Sequence, residues 1–250
     1  MPTIYCRDKN FGDIQAIIFD KDGTLEDSSL LLSDLANNVA HWLEERIPGL
    51  KETILRSLGM YNNVLNPAGL MAVGSRLENE IALAAHVAQR GKGWLESRNL
   101  VQQAFKEVDL KEKKTVIFPG CYEVISNLHQ RGLKLAILSL ASTRDIEIFL
   151  EDHQLSQFIE IYQGADQGYL KPDPICFEMV CEKLQVSCAN TLMVGDSQMD
   201  IQMASRANAA GIIAIRWGSG AIPCQSLAGA DVQILNLNEI KLIPQNFNLN

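Results

Sequence analysis

A chain of 250 residues with 47% hydrophobic and 21% charged side chains can bury a full core and has the composition of an ordinary globular protein. Its net charge of −8 has the wrong sign for nonspecific nucleic-acid binding, so any phosphate it handles must be met by a local site. Six scattered cysteines (Cys6, Cys121, Cys176, Cys181, Cys188, Cys224) show no Cys-x-x-Cys spacing, which excludes the usual zinc and dithiol motifs and reads as small buried hydrophobes in a reducing compartment.

The segment Met1-Pro2-Thr3-Ile4-Tyr5-Cys6-Arg7 lacks the charged-then-apolar pattern of a leader, and no apolar run approaches the ~18 residues needed to span a bilayer. The expectation is a cytoplasmic protein without a membrane partner; nothing in the pattern specifies an oligomeric state. Thr3 to Cys6 reads as a minor strand. Next, Ala16-Ile17-Ile18-Phe19 is an unbroken apolar run that stops at Asp20-Lys21-Asp22-Gly23-Thr24-Leu25. Such a run predicts a strand buried on both faces, hence a parallel sheet covered by helices. Ligands of these sheets bind outside the carboxyl ends of the strands, where Asp20 and Asp22 fall. Period-two alternation would turn both carboxylates toward one volume and Lys21 away from it. Two close carboxylates call for a cation, and Mg²⁺ suits oxygen ligands.

After the capping residues Glu26 to Ser29, apolar residues at Leu31, Leu35, Val39 and Leu43 predict a helix ending near Pro48-Gly49. Further helices are predicted over Lys51 to Leu58, Ser75 to Gln89 and Trp94 to Glu112, with a loop over Tyr61 to Gly74. A helical block this long between two core segments reads as an inserted subdomain. The division is 1–26 with 116–250 as the core and 27–115 as the insert.

From Val116 the core resumes. Helices are expected at Cys121 to Gln130, Thr143 to Glu151, Pro174 to Leu184 and Ser197 to Ala207. Strands alternate with them at Lys134 to Leu138, Ile159 to Tyr162, Thr191 to Val194 and Gly211 to Ile215, with one more at Asp231 to Leu235. The fold class is therefore α/β: a Rossmann-like parallel sheet with helices on both faces plus an inserted helical domain.

Three more positions join the acids at this predicted edge. Ser139 ends a strand. Lys171 precedes Pro172-Asp173-Pro174, which favours an extended backbone before a helix. Asp196 follows Gly195, and Asp200 lies one helical turn beyond. Each has a plainer reading: a turn serine, a solvated lysine, a helix cap with a first-turn acid. Taken together, carboxylates, a hydroxyl and an ammonium at one edge match a phosphoryl-transfer site.

In this order the segments resemble the four motifs of the haloacid dehalogenase superfamily: Phe19 to Leu25, Ile137-Leu138-Ser139, Lys171 to Pro174, and Val194 to Ile201. The resemblance covers nearly the whole chain outside the insert, and its first and fourth motifs are the specific ones. It implies that Asp20 is a nucleophile forming an aspartyl-phosphate and that Asp22 is the general acid and then base. It also implies that Mg²⁺ is held by Asp20, the Asp22 backbone carbonyl, Asp196 and Asp200, and that Ser139 and Lys171 bind phosphoryl oxygens. The insert resembles the family's helical cap, a lid that excludes water. The sequence departs from the family pattern at Leu140, where Asn is frequent, and at Lys21, where an apolar residue is commoner.

The activity implied is Mg²⁺-dependent hydrolysis of a small phosphorylated metabolite, in the manner of phosphoglycolate phosphatases. A phosphomutase would use the same residues with a sugar as acceptor, and a noncatalytic binding protein could keep the fold. Other hydrolase signatures are missing: there is no Gly-x-Ser-x-Gly and no Gly-x₄-Gly-Lys-Ser/Thr, and His41, His86, His129 and His153 have no metal-type spacing. Gly218-Ser219-Gly220 reads as a flexible turn. Loop residues Asn62 to Ser75, with Arg76, are candidates for specificity.

Overall fold

The computed structural model describes residues 3–108, 115–216 and 227–243. The chain divides into two compact units, Met1–Asp27 with Val116–Asn250, and Ser28–Thr115.

In the first unit the strands are β1 (Thr3–Cys6), β2 (Lys9–Phe11), β3 (Ala16–Phe19) and β4 (Glu26–Asp27). The second unit holds α1 (Ser29–Arg46), α2 (Lys51–Ser57), β5 (Met60–Tyr61), β6 (Val64–Leu65), α3 (Leu70–Val73), α4 (Arg76–Ala88) and α5 (Trp94–Glu107). The chain then returns to the first unit through β7 (Val116–Ile117), α6 (Cys121–Gln130), β8 (Lys134–Leu138), α7 (Thr143–Asp152) and β9 (Ile161–Gln163). It continues with α8 (Pro174–Leu184), β10 (Thr191–Gly195), α9 (Gln198–Arg206), β11 (Gly211–Ile215), β12 (Val232–Ile234) and β13 (Ile240–Ile243).

Among the described residues, six strands form a parallel sheet in the order β12-β11-β10-β3-β8-β9. All four residues of β3 are buried because helices cover both faces. Odd-numbered Ile17 and Phe19 pack with Leu135 and Ile137 against α6 and α7, while Ile18 packs with Ala136 and Met193 against α8 and α9. Period-two alternation of an unbroken apolar run thus feeds two cores. The chain runs from β3 outward through β8 and β9, then returns to β10 on the other side of β3. That reversal is the topological switch point at which open α/β sheets bind ligands.

Tyr61 to Gly74, expected to be a loop, instead takes part in a short antiparallel ladder with Met60, Met60↔Leu65 and Tyr61↔Val64, and contains the helical turn α3. The turn between them places Asn62 and Asn63 at φ 50° and 63°, a conformation asparagine tolerates well. The second unit has its own core around Leu43, Ile54, Leu58, Leu83 and Phe105. A separate antiparallel sheet, β13-β1-β2, joins the two ends of the chain. Cys6, Cys121, Cys176 and Cys181 are buried, and Cys188 is half-buried. Cys224, the Gly218-Ser219-Gly220 segment and the expected end of the last insert helix beyond residue 108 lie outside the described residues.

Candidate active site

The site is built from two strand ends at the switch point. Asp20 follows β3 directly, and its N–H donates to the carbonyl of Val194 in β10 at 2.9 Å. Asp196 follows β10, so the hydrogen-bond ladder places both acids at the same carboxyl edge. The register Phe19↔Ile137 places Ser139 at that edge on the other side of β3.

Beyond Phe19 the chain stops being extended. The carbonyl of Lys21 accepts from the N–H groups of Thr24, Leu25 and Glu26 at 3.2, 2.9 and 3.2 Å, curling residues 21–26 into a turn. The alternation expected of Asp20-Lys21-Asp22 therefore fails. Lys21 does not face away from the acids. It is buried with its ammonium 2.9 Å from Asp22 Oδ1 and ion-paired with Glu26. Burial by itself would lower its pKa, but Asp22 and Glu26 outweigh this and raise it.

Gly23 occupies the left-handed region at φ +78°, and a Cβ there would lie 2.1 Å from an Asp196 carboxylate oxygen. Only glycine lets the turn come this close to that acid. Thr24 Oγ1 donates to the other Asp196 oxygen, Oδ1, at 3.5 Å.

Asp200 begins α9 as part of a capping box with Ser197. Its Oδ2 accepts from the Ser197 hydroxyl at 2.6 Å and from the Ser197 N–H at 3.1 Å. Its Oδ1 accepts from Lys171 Nζ at 2.6 Å. The plain first-turn role and the site role thus coexist in one fully buried carboxylate. The Ser197-x-x-Asp200 spacing is a local signal that announces this cap.

Lys171, 5% exposed, also donates to Asp20 Oδ1 at 2.7 Å. The Asp173 N–H donates to the Leu170 carbonyl at 2.9 Å, closing a turn, and the Lys171–Pro172 peptide is cis. Asp173 caps α8, with Pro174 in its first turn. Ser139 is buried, not solvated, and its Oγ accepts from the Ala141 N–H at 3.1 Å.

The structure therefore brings Asp20, Lys171, Asp196 and Asp200 into direct proximity. Oxygens of Asp20, Asp196 and Asp200 lie within 4.8 Å of one another. The Asp22 carboxylate accepts from Lys21 Nζ at 2.9 Å. Sequence reasoning passed over Thr24, Ser197 and Glu26 as supporting residues; Glu26 has no local signal, since its partner is set by the turn.

Burial pushes the Asp20 carboxyl up from its usual 3.8 to about 6, against the pull of Lys171. Asp196 is raised well above the ordinary range by burial first and then by Asp20 and Asp200. Burial would lower the Lys171 ammonium, but the two aspartates raise it on balance. Three carboxylates facing one ammonium leave negative charge uncompensated in a low-dielectric site, the condition a hard divalent cation relieves. The all-oxygen donor set fits such an ion.

The model of the haloacid dehalogenase-like hydrolase family matches residues 14–208. The phosphoglycolate phosphatase of Photobacterium profundum is 28% identical over 212 residues, covering 84% of this chain and 86% of its own. Among solved structures, one described as a predicted phosphoglycolate phosphatase from Haemophilus somnus 129pt superposes with a TM-score of 0.68 at 20% identity, covering 88% of this chain and 94% of that one. The β-phosphoglucomutase of Clostridium difficile shares the fold, with a TM-score of 0.62 at 16% identity and coverage of 91% and 93%. The family match extends over far more than half of the sequence and includes Asp20, Ser139, Lys171, Asp196 and Asp200: this chain belongs to the haloacid dehalogenase-like hydrolases and is an enzyme.

Proposed function

We propose that the protein is a Mg²⁺-dependent phosphatase that hydrolyses a small phosphomonoester, with 2-phosphoglycolate as the leading substrate. The observation that carries this reading is the carboxylate trio Asp20, Asp196 and Asp200, with Asp20 and Asp200 buried, Asp196 half-buried and Lys171 bonded to two of its members. The substrate follows from relatives named phosphoglycolate phosphatase.

Asp20, Asp196, Asp200 and the Asp22 backbone carbonyl would hold the ion. When bound, Mg²⁺ supplies charge neutralisation that lets an anionic phosphate approach an anionic nucleophile. Asp20 attacks phosphorus, forming an acyl-phosphate bond as the ester P–O bond breaks. Asp22 gives its proton to the departing oxygen, releasing the alcohol. Water then attacks the same phosphorus, Asp22 takes up one water proton, and the Asp20–phosphorus bond breaks to release phosphate. Lys171 and Ser139 bind phosphoryl oxygens, and Lys171 keeps Asp20 ionised below neutrality by its direct bond.

The test is phosphate release from a panel of phosphorylated metabolites that includes 2-phosphoglycolate, with and without Mg²⁺. Turnover that requires Mg²⁺ and vanishes in Asp20→Asn supports the reading. Clean wild-type protein that turns over no phosphomonoester would overturn it.

A further inference from the structure

Lys21 has no part in the reaction as assigned above, yet it is among the most firmly held side chains of the turn. It is 4% exposed, and its carboxylate partner Glu26 is 1% exposed. Its ammonium bonds to Glu26 and to Asp22 Oδ1 at 2.9 Å, and it stands 5.7 Å from the centroid of the Phe149 ring on α7. Glu26 is anchored in its turn, because β4 pairs with β7 through Glu26↔Ile117 and the Gly23 N–H donates to the Glu26 carbonyl at 2.9 Å. Burying a lysine forfeits hydration and side-chain freedom. Glu26 by itself supplies the opposite charge that offsets this cost. The bond to Asp22 therefore does something further: it ties a carboxylate whose side chain is 26% exposed to a fixed internal post.

Resting on the phosphatase reading, we infer that Lys21, anchored by Glu26, is a positioning residue that fixes the Asp22 carboxylate for proton transfer to the leaving oxygen. An unanchored, part-exposed carboxylate samples several rotamers, and a general acid works only within hydrogen-bond reach of the atom it protonates. Of the three contacts, two end on groups held by the fold, so the direction in which Asp22 points is set from the core outward. This also gives a role to the charged residue between the two acids, since an apolar one could not donate to Asp22.

The consequence is selective for the leaving group. An alkyl phosphomonoester releases a poor leaving group that needs the Asp22 proton as its P–O bond breaks. A p-nitrophenyl ester departs as a stable phenolate without one. The double variant Lys21→Met with Glu26→Gln removes both ends of the buried pair, so no lone charge is left inside. Glu26→Gln alone keeps the Lys21–Asp22 bond and loosens its anchor. With Mg²⁺ present, kcat/KM reports the steps up to the first phosphoryl transfer. On an alkyl phosphate the double variant is expected to lose about 100-fold, a typical general-acid contribution, and on p-nitrophenyl phosphate less than about threefold. Glu26→Gln should show the same pattern at smaller size. Equal losses on both esters, or undiminished alkyl turnover in a double variant that melts as wild type does, would overturn the inference. A wild-type protein inactive on every ester would instead overturn the phosphatase reading on which it rests.

Discussion

Lys171 donates to Asp20 at 2.7 Å although 151 residues of chain separate them. The same ammonium reaches Asp200 at 2.6 Å, so one cation ties the acid after β3 to the acid in the first turn of α9. Breaking a buried pair by removing one partner costs about 3–5 kcal/mol, because the other charge is left without compensation. Lys171→Met is therefore expected to lower the unfolding free energy of the metal-free protein by about that amount near pH 7.5 and to abolish turnover. Added Mg²⁺ should recover part of the stability and none of the activity. Denaturant titrations with and without the ion, paired with phosphate-release assays, check both halves.

Gly23 gives a second prediction. A methyl group at this position would overlap an Asp196 oxygen, at a φ of +78° that alanine adopts only under strain. Gly23→Ala should cost about 1–3 kcal/mol of stability. It should also weaken Mg²⁺ binding, because the methyl group displaces Asp196 from its place beside Asp20. Calorimetric titration of Mg²⁺ into the folded variant separates this loss from general destabilisation; wild-type affinity would refute it.

The raised carboxyls make stability depend on pH in a defined direction. Asp20 moves from 3.8 to about 6 and Asp196 moves the same way, so the metal-free fold favours their protonated forms. The Asp20 contribution to stability is complete below the unfolded value near 4 and is lost as pH rises through about 6, and the Asp196 contribution is lost in the same direction, with rising pH. Binding of a cation requires the ionised forms, so protons compete with it over the same window. The rise in melting temperature produced by Mg²⁺ should be small near pH 4.5 and grow as pH rises through 6. A shift that does not change with pH would contradict the assignment of these carboxylates to the ion.

A fourth prediction concerns the helical unit by itself. Ser75 caps α4 in a reciprocal box: its N–H and hydroxyl donate to Glu78 Oε2 at 2.7 and 2.8 Å, and its Oγ accepts from the Glu78 N–H at 3.3 Å. Losing such a cap costs about 1 kcal/mol. Ser75→Ala should lower the denaturant midpoint accordingly, while Ser142→Ala, which removes the matching box of α7, should produce a loss of similar size in the other unit.

How much of this was legible beforehand depends on the range of the interactions concerned. Strands Lys134–Leu138 and Gly211–Ile215 and helices Cys121–Gln130 and Pro174–Leu184 fall at the residues expected of them, because apolar runs, a proline at a helix start and glycines past helix ends act locally. The likeness of four short motifs to one hydrolase superfamily was equally readable, and the family match agrees with it.

Long-range pairing was not readable. Strands Lys9–Phe11 and Ile240–Ile243 exist only because each pairs with Thr3–Cys6, the latter through Thr3↔Ile243 at opposite ends of the chain, and three or four residues carry too little pattern to announce a partner that distant. The orientation of Lys21 belongs to the same class. Alternation predicts a residue facing away from the acids, but the strand ends at Phe19, and the turn, Glu26 and the Phe149 ring decide where the ammonium goes. Residue types and their order thus settled which groups this protein has for its chemistry. Their directions and their states of charge were left to the tertiary structure, because both depend on burial and on neighbours that sequence distance does not reveal.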